Sequence, residues 1–123
     1  MGLANLRLID TTAADGTKTI TAPYPIKGLL IGVEWVVGDL AAGVDGTLTA
    51  QNTPSGVART LLTLTNANAN AFYNVREAEH DTVGVATTTG STCYPLICGT
   101  PQLAIAQGGN AKTGGMVLYY LPL

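Results

Sequence analysis

Ile26-Lys27-Gly28-Leu29-Leu30-Ile31-Gly32-Val33-Glu34-Trp35-Val36-Val37 is the longest run in the chain that reads as one extended element. Large apolar side chains recur at Leu29, Ile31, Val33, Trp35 and Val37, while Gly28, Gly32 and Glu34 fall between them. A repeat of two belongs to a strand, whose successive side chains point to opposite faces. The run therefore predicts a strand with Ile31, Val33 and Trp35 in a core and a thin second face. Bare glycine inside a strand marks close approach of another backbone.

The same pattern extends outward in both directions. Upstream, Leu6–Asp10 and Lys18–Ala22 read as short strands around the turn Ala14-Asp15-Gly16, and Pro23 and Pro25 close the second. Downstream, strands are expected over Val44–Gln51, Arg59–Thr65, Phe72–Glu77, Val83–Thr87, Tyr94–Cys98, Leu103–Ala106 and Gly115–Leu121. Asn52-Thr53-Pro54-Ser55-Gly56, Asn66-Ala67-Asn68-Ala69-Asn70, Thr88-Thr89-Gly90-Ser91 and Gln107-Gly108-Gly109-Asn110-Ala111 carry the turn chemistry between them. No segment shows a helical period. Many short strands with regular turn signals predict an all-β fold, an antiparallel β-sandwich of jelly-roll-like form. The expected organisation is one domain over residues 1–123, with residues 1–25 able to serve as an extended N-terminal arm.

Hydrophobic residues make up 46% of the chain but charged residues only 11%, against about 25% in an average soluble domain. A monomer normally keeps a charged coat, so a surface of Thr, Ala, Gly and Asn points to contact with other protein. Arg7, Lys18, Lys27, Arg59, Arg76 and Lys112 never cluster, and the net charge is −2. Neutralising many phosphates needs a dense basic face, so no nucleic-acid partner is expected. No apolar run is long enough for a membrane span. Met1-Gly2-Leu3-Ala4-Asn5-Leu6-Arg7 has neither the basic leader nor the apolar stretch of a signal peptide, and Leu6 stands where a myristoylation signal wants Ser or Thr. Cys93 and Cys98 are expected to be buried free thiols.

Few residues suggest chemistry. Gly108-Gly109-Asn110-Ala111-Lys112-Thr113-Gly114 only glances at a phosphate-binding loop, since Ala106 and Ala111 occupy the positions that need glycine. Glu77, Glu79 and Asp81 would share one face of an extended strand, but the glycine and carbonyl order of a calcium loop is missing. His80 is the only histidine, and neither Ser55 nor Ser91 has the setting of an activated nucleophile. Asp39 and Asp45 sit in a Gly-Ala loop without a sugar platform. Trp35 belongs to the apolar face of its strand. No catalytic residue, metal site or cofactor is expected, and the chain does not read as an enzyme.

Four segments taken together, Gly28-Leu29-Leu30-Ile31-Gly32-Val33-Glu34-Trp35, Gly38-Asp39-Leu40-Ala41-Ala42-Gly43-Val44-Asp45, Val75-Arg76-Glu77 and Gly108-Gly109-Asn110-Ala111-Lys112-Thr113-Gly114-Gly115, resemble small structural proteins encoded among the head genes of tailed bacteriophages. The resemblance runs from about Pro25 to Tyr120 and is one of pattern. It implies a head decoration, or cement, protein that is made in the host cytoplasm, binds the major capsid protein lattice on the virion surface and often forms a homotrimer.

Met116-Val117-Leu118-Tyr119-Tyr120-Leu121 is apolar on both faces of its strand, and a strand apolar on both sides is covered on both sides. Within a homo-oligomer that cover is another subunit. Residues 1–25 either cross to a neighbour or lie over the last strand of their own chain. The interface residues expected on this reading are Leu6, Leu8, Ile20, Val117 and Tyr119. The rival readings are a carbohydrate- or other ligand-binding β-sandwich, and a tail or head–tail structural protein.

Overall fold

The computed structural model describes residues 2–87 and 92–123. The turn expected over Thr88-Thr89-Gly90-Ser91, and with it Ser91, lies outside the described residues. Ten strands follow one another: β1 Ala4–Thr11, β2 Lys18–Thr21, β3 Ile26–Val36, β4 Asp45–Asn52, β5 Ala58–Leu64, β6 Ala71–Tyr73, β7 Glu77–Ala78, β8 Thr92–Cys93, β9 Leu96–Ala106 and β10 Thr113–Pro122. No helix forms among the described residues, and none is long and apolar enough to cross a membrane.

All pairings are antiparallel. They fall into two groups of four, β1–β10–β3–β6 and β2–β9–β4–β5, joined where Ile26–Leu29 of β3 meet Leu96–Gly99 of β9. The groups face each other as two layers. Trp35 of β3 rests on Gly46 of β4, where a side chain larger than hydrogen would meet the indole at 2.9 Å. β7 and β8 form a separate two-stranded ribbon.

The core is built of cross-strand rows. Leu8, Met116 and Trp35 stand opposite one another in one layer, as do Leu6, Leu118 and Val33. Ile20, Leu103, Leu48 and Leu62 form a row in the other. Apolar pairs of this kind are the unit that stabilises a sheet. Trp35 is fully buried, and its indole Nε1 donates to the Ala67 carbonyl at 2.8 Å. The Asn66–Asn70 loop is therefore anchored from beneath. It is also tied to neighbouring backbone, where Asn68 Oδ1 accepts from Gly43 N at 2.7 Å and Asn70 Oδ1 accepts from Val37 N at 2.9 Å.

Several expectations need correction. The strict alternation over 26–37 breaks at Ile31. Gly32 pairs with Tyr119 and Leu30 with Tyr120, so Ile31 is the extra residue of a β-bulge. The bulge changes the phase of the strand. Val33 and Trp35 are core, but Leu30 and Ile26 join them while Leu29, Ile31 and Val37 are only half-buried. The segments Tyr94–Cys98 and Leu103–Ala106 are not two strands, because β9 runs through Gly99-Thr100-Pro101 without interruption. Pro101 is tolerated since its nitrogen faces the gap between β3 and β2, the side on which its carbonyl accepts from Ala22 N at 2.9 Å. Val83–Thr87 is a turn region with one isolated bridge from Ala86 to His80.

The N-terminal arm is corrected too. Residues 4–11 pair edge-on with β10 along their whole length, and residues 18–21 pair with β9. Residues 4–21 are part of the body. They neither leave it nor lie across the outer side of β10.

Candidate functional site

Pairing along the edge of β10 leaves that strand with two different faces. Met116, Leu118 and Tyr120 point inward and are buried, while Val117, Tyr119 and Leu121 point outward and are half-exposed. The outward row through Val117 reads Arg7, Val117, Glu34, Phe72 across β1, β10, β3 and β6. The row toward the β1 C-terminus reads Ile9, Gly115, Val36, and the row on the other side reads Asn5, Tyr119, Gly32. Leu121 and Leu29 extend the face at one end. The result is one outer surface of aliphatic and aromatic groups that carries two charges in these rows, Arg7 and Glu34.

Glycine shapes this surface in two ways. The missing side chain of Gly32 lets the Phe72 ring lie over β3, where a Cβ would meet the ring at 2.4 Å. Phe72 then reaches the Tyr119 ring, with centroids 5.9 Å apart and planes tilted by 40°. At Gly28 the close neighbour is backbone, the Leu121 carbonyl oxygen, 2.5 Å from where a Cβ would stand. The expectation of a close backbone neighbour thus holds at Gly28, whereas at Gly32 the neighbour is a side chain.

Within the face the Tyr119 hydroxyl donates to Glu34 Oε1 at 3.0 Å. The hydrogen bond to the carboxylate, with some desolvation, holds the Tyr119 phenol above its ordinary range. Arg7 is exposed and has no ion-pair partner among the described residues.

Of the five interface residues read from the sequence, the structure brings two into this face, Val117 and Tyr119. Leu6 and Leu8 are corrected to core positions, because their register against Leu118 and Met116 turns both inward. Ile20 also packs against the core of its own chain. Phe72, Glu34, Arg7, Ile9 and Val36 were missed. Their membership depends on which strands lie beside β10, and one strand's periodicity does not reveal its neighbours.

The other polar groups read from the sequence hold turns. Asp39 Oδ1 accepts from Thr113 N at 2.6 Å, and Asp45 accepts from Asn66 N at 3.0 Å and from Gln107 Nε2 at 3.3 Å. Asp81 Oδ1 accepts from Val83 N and Val85 N, each at 3.0 Å. The glycine-rich tip is a turn stapled by Thr12, whose hydroxyl donates to the Gly109 carbonyl and accepts from Lys112 N. Val57 N reaches Ser55 Oγ at 3.4 Å. Among the described residues no group of three His, Cys, Asp or Glu side chains is placed to hold a metal ion.

A second, open groove is lined by Arg59, Glu77, Glu79, His80 and Cys93. Its groups hold the β7–β8 ribbon to the body. Arg59 pairs with Glu77 at 3.6 Å and donates to the Leu96 carbonyl, and the Cys93 thiol lies 3.7 Å from the Glu77 carbonyl oxygen. Arg76 stacks on the Tyr94 ring at 3.8 Å. Both cysteines are free, but Cys93 is exposed and Cys98 half-exposed, not buried as expected. A third, smaller groove on the β2–β9–β4–β5 layer is lined by Thr21, Thr49, Gln51, Ala58, Thr100 and Gln102.

No family model, curated protein or solved structure matches the chain.

Proposed function

We propose that this chain is a structural subunit of a virus particle, a decoration protein that seats on a capsid lattice and reinforces it. The observation that carries the reading is the outer face of the β1–β10–β3–β6 layer, where Ile9, Leu29, Val36, Phe72, Val117, Tyr119 and Leu121 form a mainly apolar surface interrupted by Asn5, Arg7 and Glu34. An apolar patch rimmed by polar residues marks a site of protein contact. The low charge content supports close packing of many copies, because little like-charge repulsion opposes it.

We read the four nested pairings, β1 with β10, β2 with β9, β3 with β6 and β4 with β5, as a jelly roll. That architecture recurs in viral capsid domains and in lectins. Architecture alone does not fix function, so the weight rests on the face.

The test is immunogold labelling of particles assembled by the genome that encodes the chain. Regular label over the particle head supports the proposal, and particles free of the chain contradict it. The lectin reading finds its support in the uncharged groove of Thr21, Thr49, Gln51, Thr100 and Gln102, although no aromatic ring lines it. Binding to a glycan array, lost in Gln102→Ala, would favour that reading.

A further inference from the structure

We propose that the outer face of the β1–β10–β3–β6 layer is covered by a second copy of this chain, related by a two-fold axis that runs along β10 through Val117. The inference rests on the reading that this face packs against protein, and it names the protein.

Arg7 and Glu34 flank Val117 in one cross-strand row, one on each side of β10. Two strand spacings separate their backbones, about 10 Å, and no ion pair joins them. A lone cation and a carboxylate held by one phenol hydroxyl stand on an otherwise apolar surface. Covering that surface with apolar groups would strand both charges, which is costly. A suitable cover must bring an anion over Arg7 and a cation over Glu34, at equal and opposite offsets from β10.

A second copy satisfies that pattern in one orientation. Rotation by half a turn about an axis along β10 exchanges the two sides of the strand. Arg7 then lies over the partner's Glu34, and Glu34 over the partner's Arg7. Val117 meets its own copy on the axis. Ile9 falls over the partner's Val36, because these two flank Gly115 in the same way. Asn5 falls over the partner's Gly32, beside the partner's Phe72. A two-fold axis across the strands would instead set Arg7 on Arg7 and Glu34 on Glu34. The charge pattern therefore selects one axis, and a two-fold contact of this kind closes on itself.

Size sets the strength. Under this axis β1, β10 and β3 overlap, and a face three strands wide and as long as β10 buries about 1,000 Å² in total, near the lower bound for a specific interface. The pair should form and dissociate with concentration. The outer layers of the pair are then the two β2–β9–β4–β5 sheets.

The experiment is light scattering coupled to size exclusion on the full chain over a roughly hundredfold range of concentration. The expected result is a monomer–dimer equilibrium. Arg7→Glu and Glu34→Lys should each abolish the dimer while leaving the circular dichroism unchanged, and the double variant R7E/E34K should restore it. Should either single variant fail to fold, Val117→Cys in a background with Cys93→Ser and Cys98→Ser keeps the question open to measurement, since residue 117 meets its own copy on the axis and should form a disulfide-linked dimer on oxidation. A chain that stays monomeric, forms a trimer, or forms a dimer indifferent to both charge reversals overturns the proposal. A monomer that still labels particle heads would overturn the pairing and leave the structural role standing. A charge-dependent dimer absent from particles would do the reverse.

Discussion

The Tyr119 hydroxyl reaches Glu34 Oε1 at 3.0 Å from the strand beside it. This contact ties β10 to β3 on the outside of the layer, where Val117 and Phe72 occupy the same row as Glu34. It keeps a carboxylate in place on a mainly apolar surface, across β10 from Arg7.

The contact gives a pH signature. Because Tyr119 is held above the ordinary phenol range by Glu34, its folded-state pKa exceeds its unfolded one. The stabilisation it brings is complete below the unfolded value, about 10, and is lost as pH rises through the folded value. Tyrosine ring-carbon NMR titration should show two of the five tyrosines titrating late, Tyr119 through Glu34 and Tyr120 through burial. In Glu34→Gln the Tyr119 resonance should move back toward the others while that of Tyr120 stays. An unchanged resonance would show that another group sets the Tyr119 environment.

Trp35 should be the most costly single truncation in the core. It is fully buried, packs on Gly46 and donates to Ala67. Trp35→Ala is expected to destabilise the fold by roughly 3–5 kcal/mol in chemical denaturation, the usual cost of removing a large aromatic core residue. Trp35→Phe keeps most of the packing but leaves the Ala67 carbonyl without its donor, and should cost about 1–3 kcal/mol. In the wild type, acrylamide should quench the indole weakly.

Asp10 and Asp15 shape the acid limb of stability. The Thr11 backbone N–H, with Lys18, holds Asp10 below the ordinary carboxylate range, and the Thr17 hydroxyl and backbone N–H do the same for Asp15. A lowered folded pKa contributes stability above the unfolded value, and that contribution is lost as pH falls through the folded one. The Tm of Asp10→Asn/Asp15→Asn should therefore fall less steeply on acidification than the wild-type Tm. Both groups lie at the surface, so the difference should be small and should shrink in salt.

The cysteines should differ in reactivity. Cys93 is exposed and Cys98 half-exposed. A thiol-reactive dye should modify Cys93 first, and Cys93→Ser should remove the fast phase. Two equally slow phases would contradict the placement of Cys93.

Much of the fold is legible in the sequence. The all-β class and most strands follow from period-two patterning and turn residues, and the core positions Val33 and Trp35 follow from alternation. What escapes is set by pairing. The bulge at Ile31 is a register slip between β3 and β10, and no property of Ile31 itself announces it. Pro101 reads as a breaker until its nitrogen is seen to face a gap between two strands. Leu6 and Leu8 read as interface residues but are core, because their register against Leu118 and Met116 decides which way they face. The two-sided apolar character of Met116–Leu121 was visible, and it led to Val117 and Tyr119. Arg7, Glu34 and Phe72 join them only once β1, β3 and β6 are known to lie beside β10.

A chain that reinforces a shell by packing against protein should change the thermal stability of the particles that carry it. Particles assembled by the encoding genome after deletion of this gene should open at a lower temperature than wild-type particles, and added purified chain should restore the wild-type value. Particles that open at the same temperature with and without the chain would contradict the account.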